Sequence, residues 1–184
     1  VLREACMQAK AWQDMGWKPV VMAVNISAVQ LQRIDMVALV SSVLAETGLA
    51  ARFLELEITE RVIMGDSAEL IDTLEALRPL GVRLALDDFG TGYPSLSYLK
   101  SFHFDVLKID RSFVQGISTS ADDLAITEAV IALGRSMKLE VLAEGVETPE
   151  HVRILLEKGC KHMQGYNFSR SLSPAALGKW LMPN

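Results

Sequence analysis

The sequence predicts an α/β fold, a modified TIM-like (β/α) barrel with about six βα units. Three observations carry that prediction. From residue 20 onward, short apolar segments alternate with longer segments of helical period. In Leu54-Glu55-Leu56-Glu57-Ile58-Thr59 aliphatic and polar residues alternate, so one face suits a cover of helices and the other a mixed interior. Each unit also ends in a polar or ionisable group: Asn25, Glu57, Asp87 with Asp88, Lys108, Glu144 and Gln164 in turn. The C-terminal strand ends are where a β/α barrel assembles its site.

In chain order, Leu2, Ala5, Ala9 and Trp12 give an opening helix its apolar stripe. Strands are expected at Val20–Val24, Phe53–Thr59, Arg83–Asp87, Asp105–Ile109, Glu140–Ala143 and His162–Phe168. Between them, Asp35 caps a helix with Val37, Val40 and Leu44 on one face, stopped by Gly48. Asp66 and Glu69 have capping-box spacing ahead of Leu70, Leu74 and Leu77. Ser120 and Asp123 open a helix carrying Ile126, Val130, Leu133 and Met137. Thr148-Pro149 supplies an N-cap and an N1 proline, with Gly159 past the end, and Ser173-Pro174 starts the last helix in the same way. No linker or low-complexity tract interrupts the pattern. A full eight-fold barrel takes roughly 250 residues, so 184 residues and six units imply that about two strands lie outside this chain.

Composition narrows the function classes. Half of the residues are apolar, enough for one globular domain with a sizeable core. A net charge of −5 excludes non-specific binding of a nucleic-acid polymer, which needs a basic face. Cys6 and Cys160 have no metal-ligand spacing and form no disulfide framework, which points to a reducing cytoplasm. No apolar run approaches the roughly 20 residues of a membrane span.

The strand-end groups are hard oxygen donors without clustered His or Cys, a set suited to Mg²⁺ or Mn²⁺. His103, His151 and His162 are scattered and read as structural or surface residues. Asp87 and Asp88 are adjacent carboxylates that repel unless a cation neutralises them, and Gly90 and Gly92 follow in a loop. Asn25, Glu57 and Asp87 could hold one ion, with Asp87 bridging to a second held partly by Asp88. Such a pair suits phosphodiester cleavage. Lys108, flanked by Leu107 and Ile109, would add a fixed positive charge, and Glu144 a base.

With these residues placed, the chain closely resembles the EAL-domain family, bacterial phosphodiesterases that linearise cyclic di-GMP. The matching strings are Asn25-Ile26-Ser27, Glu55 to Glu60, Asp87-Asp88-Phe89-Gly90-Thr91-Gly92-Tyr93, Leu107-Lys108-Ile109-Asp110, Ala143 to Thr148 and Gln164-Gly165-Tyr166. The resemblance implies hydrolysis of cyclic di-GMP to pGpG with two Mg²⁺ or Mn²⁺ ions per site and inhibition by Ca²⁺. It implies metal ligation by Asn25, Glu57, Asp87 and Asp88, a base at Glu144 assisted by Lys108, Glu147 and Gln164 around water and substrate, and Glu60 holding the loop after Asp88. It further implies a homodimer, sensor or cyclase domains in the parent protein, a role in bacterial signalling and biofilm control, and a cytoplasmic domain, with membrane anchoring of the parent left open.

Three departures stand out. The name-giving Glu-Ala-Leu strand lies upstream of the asparagine in the family, so residues 1–184 read as an EAL domain lacking its first strands, one metal-ligand glutamate among them. Glu75-Ala76-Leu77-Arg78 is a decoy inside an amphipathic helix. Pro94 and Ser171 replace the usual small residue and proline; the first restricts the loop. A catalytically inactive cyclic di-GMP-binding receptor is the competing reading.

Overall fold

The computed structural model describes residues 1–63, 68–92, 99 and 102–181. Two compact units form: the described residues of 1–58, 65–84 and 171–184 make the first, and those of 59–64 and 85–170 the second. Strands and helices alternate throughout, the strand pairs among the described residues are parallel, and strand neighbours follow chain order within each unit. This is the α/β, (β/α)-barrel class that the alternation predicts.

In the first unit, α1 (Leu2–Asp14) buries Leu2, Cys6, Ala9 and Trp12 and packs on α3 (Met36–Thr47), which buries Met36, Val40 and Val43. The α3 ends are built as its sequence implies. The Asp35 carboxylate accepts from the Ala38 amide at 2.9 Å, and Gly48 closes the helix in the left-handed region. The short α2 (Ala28–Arg33) opens on a capping box between Ser27 and Gln30. Strands β1 (Met22–Asn25) and β2 (Leu54–Thr59) pair from Met22 against Leu54 to Asn25 against Glu57. Because β2 begins at Leu54, the ladder cannot reach Val20, and β1 starts two residues later than expected. The buried Glu55 is paired with Arg83 at 3.1 Å, which marks it as a satisfied structural charge. Helix α5 (Ala68–Leu77) buries Leu70, Leu74 and Leu77 and leaves Glu75 exposed, so the internal Glu-Ala-Leu string is a helix face. Asp66 and Pro94 lie outside the described residues.

In the second unit, β3 (Arg83–Phe89) contributes its C-terminal part beside β4 (Val106–Ile109), β5 (Glu140–Ala143) and β6 (His162–Met163). The four residues of β4 are buried on both faces. Helices α6 (Arg111–Gly116) and α7 (Ala121–Met137) connect β4 to β5, α8 (Pro149–Glu157) connects β5 to β6, and α4 (Glu60–Ile63) follows β2. The chain ends in α9 (Pro174–Leu181) in the first unit.

Three expectations are corrected here. Strand β6 is two residues long, because Gln164 pairs with Ala143 and Val146 and the chain then turns at Gly165, away from the ladder. Strand β3 runs on to Phe89 through a bulge. On α7 the buried stripe is Thr127, Val130, Ile131 and Gly134, while Ile126 is 38% exposed. The closest approach decides that rotation: a Cβ on Gly134 would fall 2.2 Å from the Val141 side chain of β5, so the helix lies down on its glycine.

Candidate active site

The second unit gathers most of the candidate residues, and the bulge in β3 is what makes the gathering possible. Leu86 pairs with Leu107 and Phe89 with Ile109, so Asp87 and Asp88 together oppose Lys108. Asp88 takes φ 56°, a left-handed conformation that Asp tolerates better than most residues. A regular strand would send the two carboxylates to opposite faces. Here Asp87, Asp88 and Glu144 each offer an oxygen atom, all within 4.8 Å of one another.

Lys108 sits in the middle. It is 3% exposed, and its ammonium donates to Asp87 Oδ1 at 3.1 Å and to Glu144 Oε1 at 2.7 Å. Removing a lysine from water costs several kcal/mol unless it is paired, and two carboxylates meet that need. Asp87 Oδ1 also accepts from the Asp88 amide at 3.0 Å. Asp88 is pushed up from the ordinary carboxylate range, first by burial and then by the negative charges of Asp87 and Asp110, with Lys108 working the other way. Its carboxyl shares a hydrogen bond with that of Asp110. Burial opposes ionisation of Asp110 as well. Hydrogen bonds from the Ser112 amide (2.8 Å) and hydroxyl, the bond to Asp88 and the charge of Arg111 nevertheless hold it below the usual range. Carboxyl groups gathered this closely repel one another unless positive charge is supplied.

Glu60 is 6% exposed, and its Oε2 accepts from the backbone amides of Gly90 (3.0 Å) and Gly92 (3.2 Å), tying the loop after β3 to α4. Beyond β5, Glu144, Glu147 and Gln164 line a cavity of about 200 Å³ (210 Å³) with Arg111, Gln115 and Tyr166. Glu147 accepts from Gln115 Nε2 at 3.0 Å. In the first unit, the register of β1 and β2 places Asn25, exposed, directly beside Glu57, 8% exposed, at their C-terminal ends. The histidines stay outside the cluster. His103 is exposed, His162 lies 3.4 Å from Glu140, and His151 is buried and accepts from the Glu147 amide.

Residue-by-residue reading gives no role to Asp110, Arg111, Gln115 or Tyr166. Asp110 carries no periodic signal, since it lies past the end of β4 as the N-cap of α6. Gln115 carries none, because only folding sets α6 against the loop after β5.

Parallel βα units ending in a buried lysine among close carboxylates define an α/β domain whose acidic cluster could hold a metal ion. The chain belongs to the EAL-domain family: that family's sequence pattern matches residues 1–171. The chain is 46% identical over 181 residues to the cyclic di-GMP phosphodiesterase NbdA of Pseudomonas aeruginosa, covering 98% of this chain and 23% of that protein. Its fold superposes on a solved complex of the PaMucR phosphodiesterase with c-di-GMP at a TM-score of 0.91, with 40% identity over 96% of this chain and 71% of that one. A manganese/cy-diGMP complex of Klebsiella pneumoniae BlrP1 matches at a TM-score of 0.83, with 32% identity over 91% of this chain and 42% of that one. The chain spans about a quarter of the length of the curated relatives it matches (22%, 23% and 26% for three of them). Among the described residues no helix is long and apolar enough to cross a membrane.

Proposed function

We propose that this chain is the part of a bacterial signalling protein that hydrolyses cyclic di-GMP to linear pGpG with two divalent cations, Mg²⁺ or Mn²⁺. One observation carries the reading: a buried lysine clamped between Asp87 and Glu144, beside the Asp88 carboxylate, in a chain of this family. The donor set fits hard divalent cations, because the clustered ligands are carboxylate oxygens and their mutual repulsion is relieved by positive charge. Asp87 and Asp88 would hold the ions, with Asn25 and Glu57 as the further oxygen ligands that the family resemblance assigns. When bound, the ions supply a nucleophile at neutral pH and stabilise charge on the phosphoryl oxygens.

The chain's own residues then divide the remaining work. Glu144 takes the proton of the attacking water. Lys108 orients Glu144, since the two are in direct contact. Asp110 shares in holding Asp88. Glu147 and Gln164 position water and substrate at the mouth of the cavity beside Glu144. Glu60 holds the glycine loop after β3 through two backbone amides. We further propose a homodimer and fusion to sensor or cyclase domains in the parent protein.

The test is incubation of the full-length protein with cyclic di-GMP and Mn²⁺ or Mg²⁺, followed by chromatography. The expected product is pGpG. Glu144→Ala should lower turnover by roughly 10²-fold or more while nucleotide binding persists. Tight binding without any pGpG from the wild-type protein would move the assignment to a cyclic di-GMP receptor.

A further inference from the structure

Helix α6 touches both carboxylate groups of the site through its two ends. Asp110, its N-cap, shares a hydrogen bond with Asp88. Arg111 begins the helix, and the loop after β5 lies flat on it. A Cβ on Gly145 would fall 2.6 Å from Arg111 Cβ and 3.2 Å from its Cα, so a residue without a side chain is required there. Four residues after Arg111, and so on the same side of the helix, Gln115 Nε2 donates to Glu147 Oε1 at 3.0 Å.

We propose that Gln115 is a positioning residue for Glu147, and that α6 is the bracket that aligns the Glu144–Glu147 loop with the Asp87–Asp88 pair. The inference rests on the functional reading above. The backbone of Glu147 is already fixed, since its amide donates to Nδ1 of His151 on α8 at 3.5 Å and His151 is 5% exposed. What remains free is the carboxylate itself, an exposed group on a side chain with three rotatable bonds. Gln115 removes that freedom at its far end. The chemistry of the donor matters. An amide fixes one carboxylate oxygen and leaves the negative charge and the second oxygen in place, whereas a lysine would neutralise the charge and a glutamate would repel it. Gln115 therefore acts on the reaction through Glu147.

The experiment uses Gln115→Leu in the full-length protein, which keeps the bulk and removes the donor. The expected result is a kcat about tenfold lower with KM for cyclic di-GMP within about twofold and an unchanged Tm. In a Glu147→Ala background, which removes the accepting oxygen, the same substitution should have no further effect. Equal falls in both backgrounds, or a fall in Tm that accounts for the loss, would overturn the proposal. A second measurement does not depend on turnover. With carbon-13-labelled glutamate, the Glu147 side-chain carboxyl resonance of metal-free protein should shift on Gln115→Leu, and a resonance that stays in place overturns the proposal. If the wild-type protein makes no pGpG, the functional reading has failed by itself, and the resonance still decides whether Gln115 orients Glu147.

Discussion

At the scale of single residues, the site is governed by the mismatch between one buried cation and several carboxylates. Lys108 is 3% exposed and bonded to both Asp87 and Glu144. Its replacement in Lys108→Met leaves two acids facing each other without their shared counter-charge. The expected outcome is a loss of about 3 kcal/mol of unfolding free energy in the metal-free protein, measured by denaturant titration, together with loss of turnover. Asp88 gives the opposite sign. Its folded-state carboxyl is raised above the ordinary range by burial and by Asp87 and Asp110. A raised carboxyl contributes stability that is fully present below the unfolded value, near 3.9, and is lost as pH rises through the folded value. Asp88→Asn, assayed with chelator present, should therefore raise Tm at neutral pH, and the gain should vanish as pH falls to about 4. A gain that grew on acidification would refute the account.

At the scale of elements, a bulge and a glycine matter more than the regular parts. The bulge in β3 turns two adjacent aspartates from an alternating pair into neighbours on one side. Gly145, at φ 68°, lets the loop after β5 lie on α6, where any side chain would collide with Arg111. Gly145→Ala combines a left-handed backbone with that collision and should cost about 1–3 kcal/mol, read as a lowered denaturation midpoint. Its effect on turnover should exceed its effect on nucleotide affinity, because it displaces Glu144 and Glu147 together. The rotation of α7 has a consequence as well. With Thr127, Val130, Ile131 and Gly134 turned inward, Ile126, Ala129 and Leu133 form with Phe89 and Gly90 an apolar cavity of about 600 Å³ (620 Å³) beside the glycine loop.

At the scale of the whole molecule, that largely apolar hollow is a candidate contact for the homodimer proposed above. Leu133→Glu should shift the full-length protein toward monomer in light scattering while leaving Lys108, Asp87 and Glu144 untouched. An unchanged mass would place the dimer contact elsewhere.

The sequence by itself determined the α/β class, the helix caps at Asp35, Ser120 and Thr148, and the set of groups at the strand ends. Those features are local: a cap needs one side chain and one amide, and parity follows from two-residue periodicity. The family was legible for the same reason, since its strings sit at strand ends and in turns. Tertiary structure alone decided how Asp88 comes to lie beside Asp87, that Asp110 belongs beside them, that α7 buries Thr127 in place of Ile126, and that Gln115 meets Glu147. Each of these depends on how far one backbone approaches another, through a bulge between Leu86 and Phe89, a glycine at 134 and a glycine at 145. Such distances are set when elements pack, and no periodicity in the chain records them.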